Sequence, residues 1–534
     1  MASIQFSNSK STTKLKEILN PQLENLLVKL HHEFNHERKN LLNNRKERQK
    51  IYDTGNLPRY DKNSEAATTN WKIKPIPKDL LTRRVEITGP VNDAKMVINM
   101  LSRNGQGHRA DMAMLDFEDS MKPSWNNVVD GIFNVIAAAE GNLSFQKKSS
   151  SGQDEKKYTL DPSDMAGVMV RVRGLHLDEA NVTIDGQSIS GGLFDLTCSA
   201  YLAARHLISR GKTPKFYVPK CEHFMEARWW NDLFSRIEEE MGFQIGTIRA
   251  TFLIETLPAA FQIEEILYEL KDHAVGLNVG RWDKIFSDIK VLRMHPDRIS
   301  ADRSTINMQK HWMENYAKRL VKICHSHGAF AIGGMSAFTP GKDEATIKLQ
   351  TEKVLNDKKN EFNSGHDGCW VSHPYFIGPA LNAFPKNNQL DQTLDDFDKY
   401  PDLLMDGKGP KTIDGLKTNL RVGIAYLHGW NRNLGCVAWD NLMEDLATLE
   451  ISRAQTWQWL HHEITLDSGE KVTKELILKL FNNELDLILN ELKINSGSED
   501  ATAFSKAMEQ AYEMFTANKL KEFLSLSSEI EKNI

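Results

Sequence analysis

Eight short apolar runs spaced along the middle of the chain constrain its fold more than any other feature. They read VEITGP from Val85, MAMLDFED from Met112, GVMVRVRG from Gly167, KFYVPK from Lys215, TFLIET from Thr251, VGLNVG from Val275, AFAIGG from Ala329 and CWVSHP from Cys369. Nearly continuous apolar character suits strands buried on both faces. Helical spacing separates most of them, as at 202–208, 226–241 and 261–270. Alternating strands and helices imply a parallel sheet, and eight repeats of the unit imply closure. An open doubly wound sheet would call for a Gly-rich phosphate loop after an early strand, and the sequence has no GxGxxG or Walker pattern. The expected fold class is α/β, a TIM (β/α)8 barrel.

The flanks differ in character. Apolar residues at helical spacing, from Leu15 to Leu30, precede a basic run from Glu37 to Lys50 that reads as a solvated helix face. Strand signals stop beyond about Leu390, and helical patterns dominate, clearest over 441–462 and 472–492. The expected organisation is an N-terminal helical clasp over 1–80, the catalytic barrel over 81–385 and an all-helical C-terminal cap over 386–534. The polar stretch KKSSSGQDEKK, from Lys147 to Lys157, reads as a surface loop without chemistry.

Composition narrows the function. With 534 residues the chain exceeds what one hydrophobic core normally serves. Its 40% hydrophobic and 26% charged content is that of a soluble globular protein, and a formal charge of −5 gives no footprint for nucleic acid or an anionic membrane. The cysteines, Cys198, Cys221, Cys324, Cys369 and Cys436, show no CxxC spacing, which argues against structural zinc or a disulfide framework and fits a reducing compartment. The N-terminus shows no secretory signal, and the final residues, Glu531 to Ile534, are not an SKL-type address.

In a barrel enzyme the chemistry sits at the C-terminal ends of the strands. The polar residues there are Asp116, Glu118 and Asp119, then Arg171 and Arg173, Lys220 and Glu222, Glu255, Asp283 and His373. Glu255 follows a run of uncharged residues, so its ionised form needs a cation or strong donors. Asp283 follows the next strand. Two carboxylates on adjacent strand ends can share Mg2+, which prefers oxygen ligands and retains waters. The glycines of GLNVGRWD, from Gly276, let backbone N–H groups approach a small anion.

The stretch KDHAVGLNVGRWDKIF, from Lys271 to Phe286, resembles the signature of the malate synthase family. The resemblance extends through RRVEITGP, LDFEDS, VRVRGLHL, GTIRATFLIET, GAFAIGGMSAF and NLMEDLATLEISRAQTWQW, covering roughly 80 to 490, and is to the shorter, A-type form. It implies a Mg2+-dependent acyltransferase that condenses acetyl-CoA with glyoxylate and hydrolyses the thioester to malate and CoA. It further implies Glu255 and Asp283 as metal ligands, Arg171 as the enolate-stabilising arginine and Asp445 as the catalytic base. Backbone N–H groups of Gly280 and Trp282 would receive glyoxylate, and Glu118 and Asp119 would support the metal water or the arginine. The segment 333–340, with Met335 and Pro340, would line the pantetheine channel. The family's pathway suggests a peroxisome, glyoxysome or the cytoplasm, and leaves a homo-oligomer open.

Each assignment has a plainer alternative. Asp445 could be an ordinary first-turn carboxylate, with Asn441 as N-cap and Glu444 as its partner. Cys436 and the Trp457–Trp459 pair read best as packing. Two positions depart from the family pattern: Lys284 stands where Tyr is usual, and His223 falls one place early, which weakens any role for it. The rival enzyme is a carbon–carbon lyase of the citrate-lyase-β or malyl-CoA-lyase kind, against which the long C-terminal region carrying Asp445 argues. The rival outside catalysis is a CoA-binding relative, which should have lost a charged site residue.

Overall fold

A computed structural model describes residues 3–146, 157–495 and 497–524. The apolar runs form strands β1 (Val85–Pro90), β2 (Met112–Asp116), β3 (Gly167–Arg171), β4 (Lys215–Val218), β5 (Arg249–Ile254), β6 (Ala274–Val279), β7 (Phe330–Ser336) and β8 (Gly368–Val371). They close in the order β5-β6-β7-β8-β1-β2-β3-β4, every pairing parallel. Strand pleat sorts the side chains. Met112, Met114, Met169, Leu253, Phe330 and Ile332 pack together inside the barrel. Their alternates, among them Ala113, Leu115, Val168 and Val170, pack outward against the helices. A filled interior pushes the chemistry to the strand ends.

Register already places charges. Asp116 at the end of β2 pairs with Arg171 at the end of β3, so the two side chains emerge on one face side by side.

The 33-residue helix Pro21–Asp53 runs along the outside of the barrel. Its basic run is not merely a solvated face. Arg38 is buried and donates to the Leu175 and Leu177 carbonyls, and Arg45 makes a two-pronged pair with Glu226 at 2.8 and 2.7 Å. The periodicity of the charges hid this, because long basic stems can be buried when every donor finds an acceptor. The N-terminal region also contributes a strand, Ile4–Phe6, pairing antiparallel with Asp178–Ile184, which in turn pairs with Gln187–Ser190.

After the barrel, helices Ile413–Asn431, Leu446–His461, Lys474–Glu491 and Glu499–Phe515 build a second core around Leu420, Leu449, Trp459, Phe481 and Phe515. Trp457 packs with the barrel-side core. This region is not all-helical. Val437–Trp439 and Leu442–Glu444 form a hairpin whose turn residues Asp440 and Asn441 both have positive φ, 47° and 61°. Asn441 is therefore a turn residue, and the helix expected from it begins at Leu446. The expected helix over 261–270 is broken at Gln262 into Leu257–Phe261 and Ile263–Glu269. Most of the 147–157 stretch and the last four residues lie outside the described residues. No helix among the described residues is long and apolar enough to cross a membrane.

Candidate active site

The hairpin and the helix after it bring the C-terminal region over the barrel mouth. Met443 N–H donates to the Ala337 carbonyl at 2.7 Å and Thr339 N–H to the Asn441 carbonyl at 3.0 Å, so the hairpin pairs with the chain leaving β7. Gly435 seats the approach. A Cβ there would come within 2.2 Å of the Met121 backbone, so only glycine allows the two backbones to meet.

Beneath this cover lies a cavity with about 70 Å³ open to the centres of water-sized groups, lined among others by Arg171, Glu255, Trp282, Asp283, Met335 and Asp445. Residues from β3, β5, the β6 loop, β7 and the C-terminal region thus converge. Gly280 and Asp119 also line it; Glu118 and Pro340 do not. Asp283 is 6% exposed, because the C-terminal region covers the strand ends.

Arg171 donates from Nε and Nη2 to the two Asp116 oxygens at 2.7 and 2.5 Å. Its Nη1 has no bond so short, lying 3.5 Å from Glu118. Burial pushes the Asp116 carboxyl up, but the Arg171 charge and its hydrogen bonds outweigh this and hold it below its usual value. The Arg171 guanidinium is correspondingly a permanent, fixed cation.

Lys220 was legible only as a strand-end residue, and the structure makes it the hub of the acidic cluster. Its buried ammonium donates to Glu118 at 2.5 Å and to both Asp119 oxygens at 2.8 and 2.7 Å, and lies 3.5 Å from Asp283 Oδ1. Its backbone φ is +56°. Its N–H donates to Glu255 Oε1 and its carbonyl accepts from Arg45 Nη2, each at 2.7 Å, so the N-terminal helix braces this uncommon conformation.

Two cations, Arg171 and Lys220, stand against six carboxylates here: Asp116, Glu118, Asp119, Glu255, Asp283 and Asp445. Burial pushes Glu255 well above its usual value and the neighbouring Asp283 pushes it further; burial likewise raises Asp283. Asp283 Oδ1 is buried without a hydrogen-bond partner. An under-neutralised pair with an orphaned oxygen fits a divalent cation. No three His, Cys, Asp or Glu side chains among the described residues make a ready ligand set, so water and substrate oxygens would complete the coordination, as Mg2+ prefers.

Gly280 is required where it stands, since a Cβ would lie 2.5 Å from Glu255 Cβ. Its N–H, expected to receive the substrate, is engaged by the Tyr316 hydroxyl at 3.1 Å. Trp282 lies in the first turn of helix Arg281–Val291, which has no side-chain cap. First-turn N–H groups lack helical partners and form an anion site. The sequence offered no signal for Tyr316.

Asp445 is 8% exposed and is itself the N-cap of helix Leu446–His461, accepting from the Thr448 N–H at 3.3 Å. Burial raises its carboxyl well above the usual range, and the negative charges of Asp119 and Asp283 add to this. A buried carboxylate with an elevated proton affinity is suited to general-base work. Cys436 also lines the cavity, and burial followed by the Asp445 charge pushes its thiol up to about 12, leaving it an unreactive packing residue. Elsewhere, His223 caps helix Phe224–Met241 and Lys284 pairs internally with Asp288 at 2.5 Å. All five cysteines are free.

Three family models match the chain: "Malate synthase, N-terminal domain" at 6–65, "Malate synthase, TIM barrel domain" at 167–401 and "Malate synthase, C-terminal" at 410–531. The barrel model begins at β3, although the closed barrel starts at β1. Malate synthase A of Escherichia coli is 42% identical over 96% of this chain and 95% of its own length. Malate synthase of Myxococcus xanthus is 41% identical over 96% and 93%, and the glyoxysomal malate synthase of Candida tropicalis 39% over 96% and 92%.

Proposed function

The chain belongs to the malate synthase family, an acyltransferase family, and from that premise we propose how its own residues join acetyl-CoA to glyoxylate and release malate and CoA. The observation that carries the reading is the shared cavity, in which the buried Asp445 carboxylate, the Arg171 guanidinium and the Glu255–Asp283 pair all face one space.

Asp445 takes a proton from the acetyl methyl carbon. A carboxylate does this poorly unless the enolate is stabilised as it forms. Arg171 supplies the stabilisation: with Nε and Nη2 fixed on Asp116, Nη1 is left to donate to the thioester oxygen. Glyoxylate lies with its carboxylate against the first-turn N–H groups at Trp282, presenting its aldehyde carbon to the enolate. Glu255 and Asp283 would hold Mg2+, which when bound would supply Lewis-acid polarisation of the aldehyde. Lys220 keeps Glu118 and Asp119 from repelling the substrate carboxylate. The closed cover excludes bulk water while the enolate exists. Water then cleaves the thioester, giving malate and CoA thiol. Met335, on the cavity wall, would line the path of the pantetheine arm.

The test is CoA thiol release from acetyl-CoA. Release should require glyoxylate and Mg2+ together and stop with EDTA. Accumulation of an acyl-CoA without free thiol would instead assign the chain to the lyases.

A further inference from the structure

After helix Glu499–Phe515 the chain returns to the barrel. The segment 516–524 is tied down mainly by the helix that Asp445 caps. Trp457 Nε1 donates to the Ala517 carbonyl at 2.9 Å, Arg453 donates to the carbonyls of Lys521 and Glu522 at 3.0 and 2.5 Å, and Leu524 N–H donates to Glu450 Oε1 at 2.6 Å. These bonds seat the Phe523 ring among groups from three parts of the mouth. Its centroid lies 5.3 Å from that of Phe286, on the helix whose first turn carries Asp283, and 5.3 Å from that of His176, beyond β3. Two ammonium groups also face the ring, Lys220 Nζ at 5.8 Å and Lys290 Nζ at 5.0 Å. Lys290 is anchored elsewhere, on Glu222 at 2.5 Å. Lys220 is the group that binds Glu118 and Asp119 and approaches Asp283.

We propose that Phe523 is a positioning residue for the reaction: from the C-terminal strap it holds the Lys220 ammonium on Glu118 and Asp119 and away from Asp283. An aromatic face within about 6 Å attracts a desolvated ammonium. Without the ring, Lys220 can swing the short remaining distance to Asp283 Oδ1, where an ammonium and a divalent cation compete for one oxygen. The strap and the base are also coupled, since a single helix carries the Asp445 cap at its start and the strap anchors along its length.

The inference rests on reading Glu255 and Asp283 as the cation site, so the test measures the cation directly. In the full chain, Phe523→Leu keeps apolar bulk and loses the aromatic face. Mg2+ titration by calorimetry, without substrates, should show a Kd raised roughly fivefold. Turnover should fall by a similar factor while KM for acetyl-CoA stays constant, and Phe523→Tyr should restore both. In a Lys220→Gln background, Phe523→Leu should have no further effect on Mg2+ affinity. Unchanged affinity in Phe523→Leu, failure of Tyr to restore it, or additive losses in the double variant would each overturn the proposal. Should Phe523→Leu not fold, Phe523→Tyr against Phe523→Met makes the same comparison. A parent chain that binds Mg2+ but makes no malate would sink the proposed reaction and leave this measurement standing.

Discussion

At Asp445 one carboxylate accepts the Thr448 N–H and faces the cavity. Asparagine caps helices as well as aspartate does, so Asp445→Asn should leave the fold and both substrate affinities in place. It cannot take a proton. Malate formation should drop about 10²- to 10⁴-fold, with no exchange of acetyl methyl protons into solvent; an appreciable residual rate would move the base elsewhere. The pH dependence has a definite sign. In the proposed mechanism Asp445 works ionised, and its proton affinity is raised by burial and by neighbouring negative charge, so kcat should fall as pH drops through a midpoint above the ordinary carboxylate range. Arg171→Lys tests the other partner. A lysine keeps the charge but cannot span both Asp116 oxygens and still offer a third nitrogen, so turnover should fall roughly 10²-fold or more. Near-parental turnover would remove Arg171 from enolate stabilisation.

The hairpin Val437–Glu444 positions Asp445, and its turn relies on left-handed backbone at Asp440 and Asn441. Asn tolerates that region and a β-branched residue does not. Asn441→Gly should keep stability and turnover, whereas Asn441→Val should cost about 1–2 kcal/mol and lower kcat through a displaced base; chemical denaturation and steady-state assays on both variants would decide. Asp-Asn is a turn signal, yet the sequence reading passed over it because the surrounding pattern could also be read as a helix. The two strands have only three residues each, too short for a period of two to stand out. The barrel strands were legible because burial on both faces writes continuous apolar runs. Glu255 and Asp283 were legible because one ends such a run and the other follows one closely. Lys220 and Asp116 were visible as charges but not as partners, since pairing across strands depends on register. The buried face of the basic run was hidden for a related reason: Glu226, which takes up Arg45, lies 181 residues away.

Across the whole molecule, the acidic cluster sets a linkage between metal, protons and stability. Glu255 and Asp283 have raised proton affinities in the folded protein. Their ionised forms therefore oppose folding above those raised values, and the penalty disappears as pH falls through them. Mg2+ should raise the melting temperature at neutral pH, equivalent to about 2.7 kcal/mol at a hundredfold excess over Kd, and the increment should shrink toward low pH as protons displace the cation. Asp283→Asn should melt higher than the parent in EDTA at neutral pH and gain nothing from Mg2+. A parental response to Mg2+ in that variant would exclude Asp283 as a ligand.

The arrangement of the site along the chain also has a meaning in time. β8 ends at Val371, while Asp445 and then the strap ending at Leu524 follow later. At roughly 5–20 residues per second, a ribosome emits a barrel with its acidic mouth uncovered and without Asp445 for on the order of ten seconds. In the proposed mechanism the nascent chain can collect its cation during that interval but cannot make an enolate, so reactivity waits on segments that emerge after the barrel.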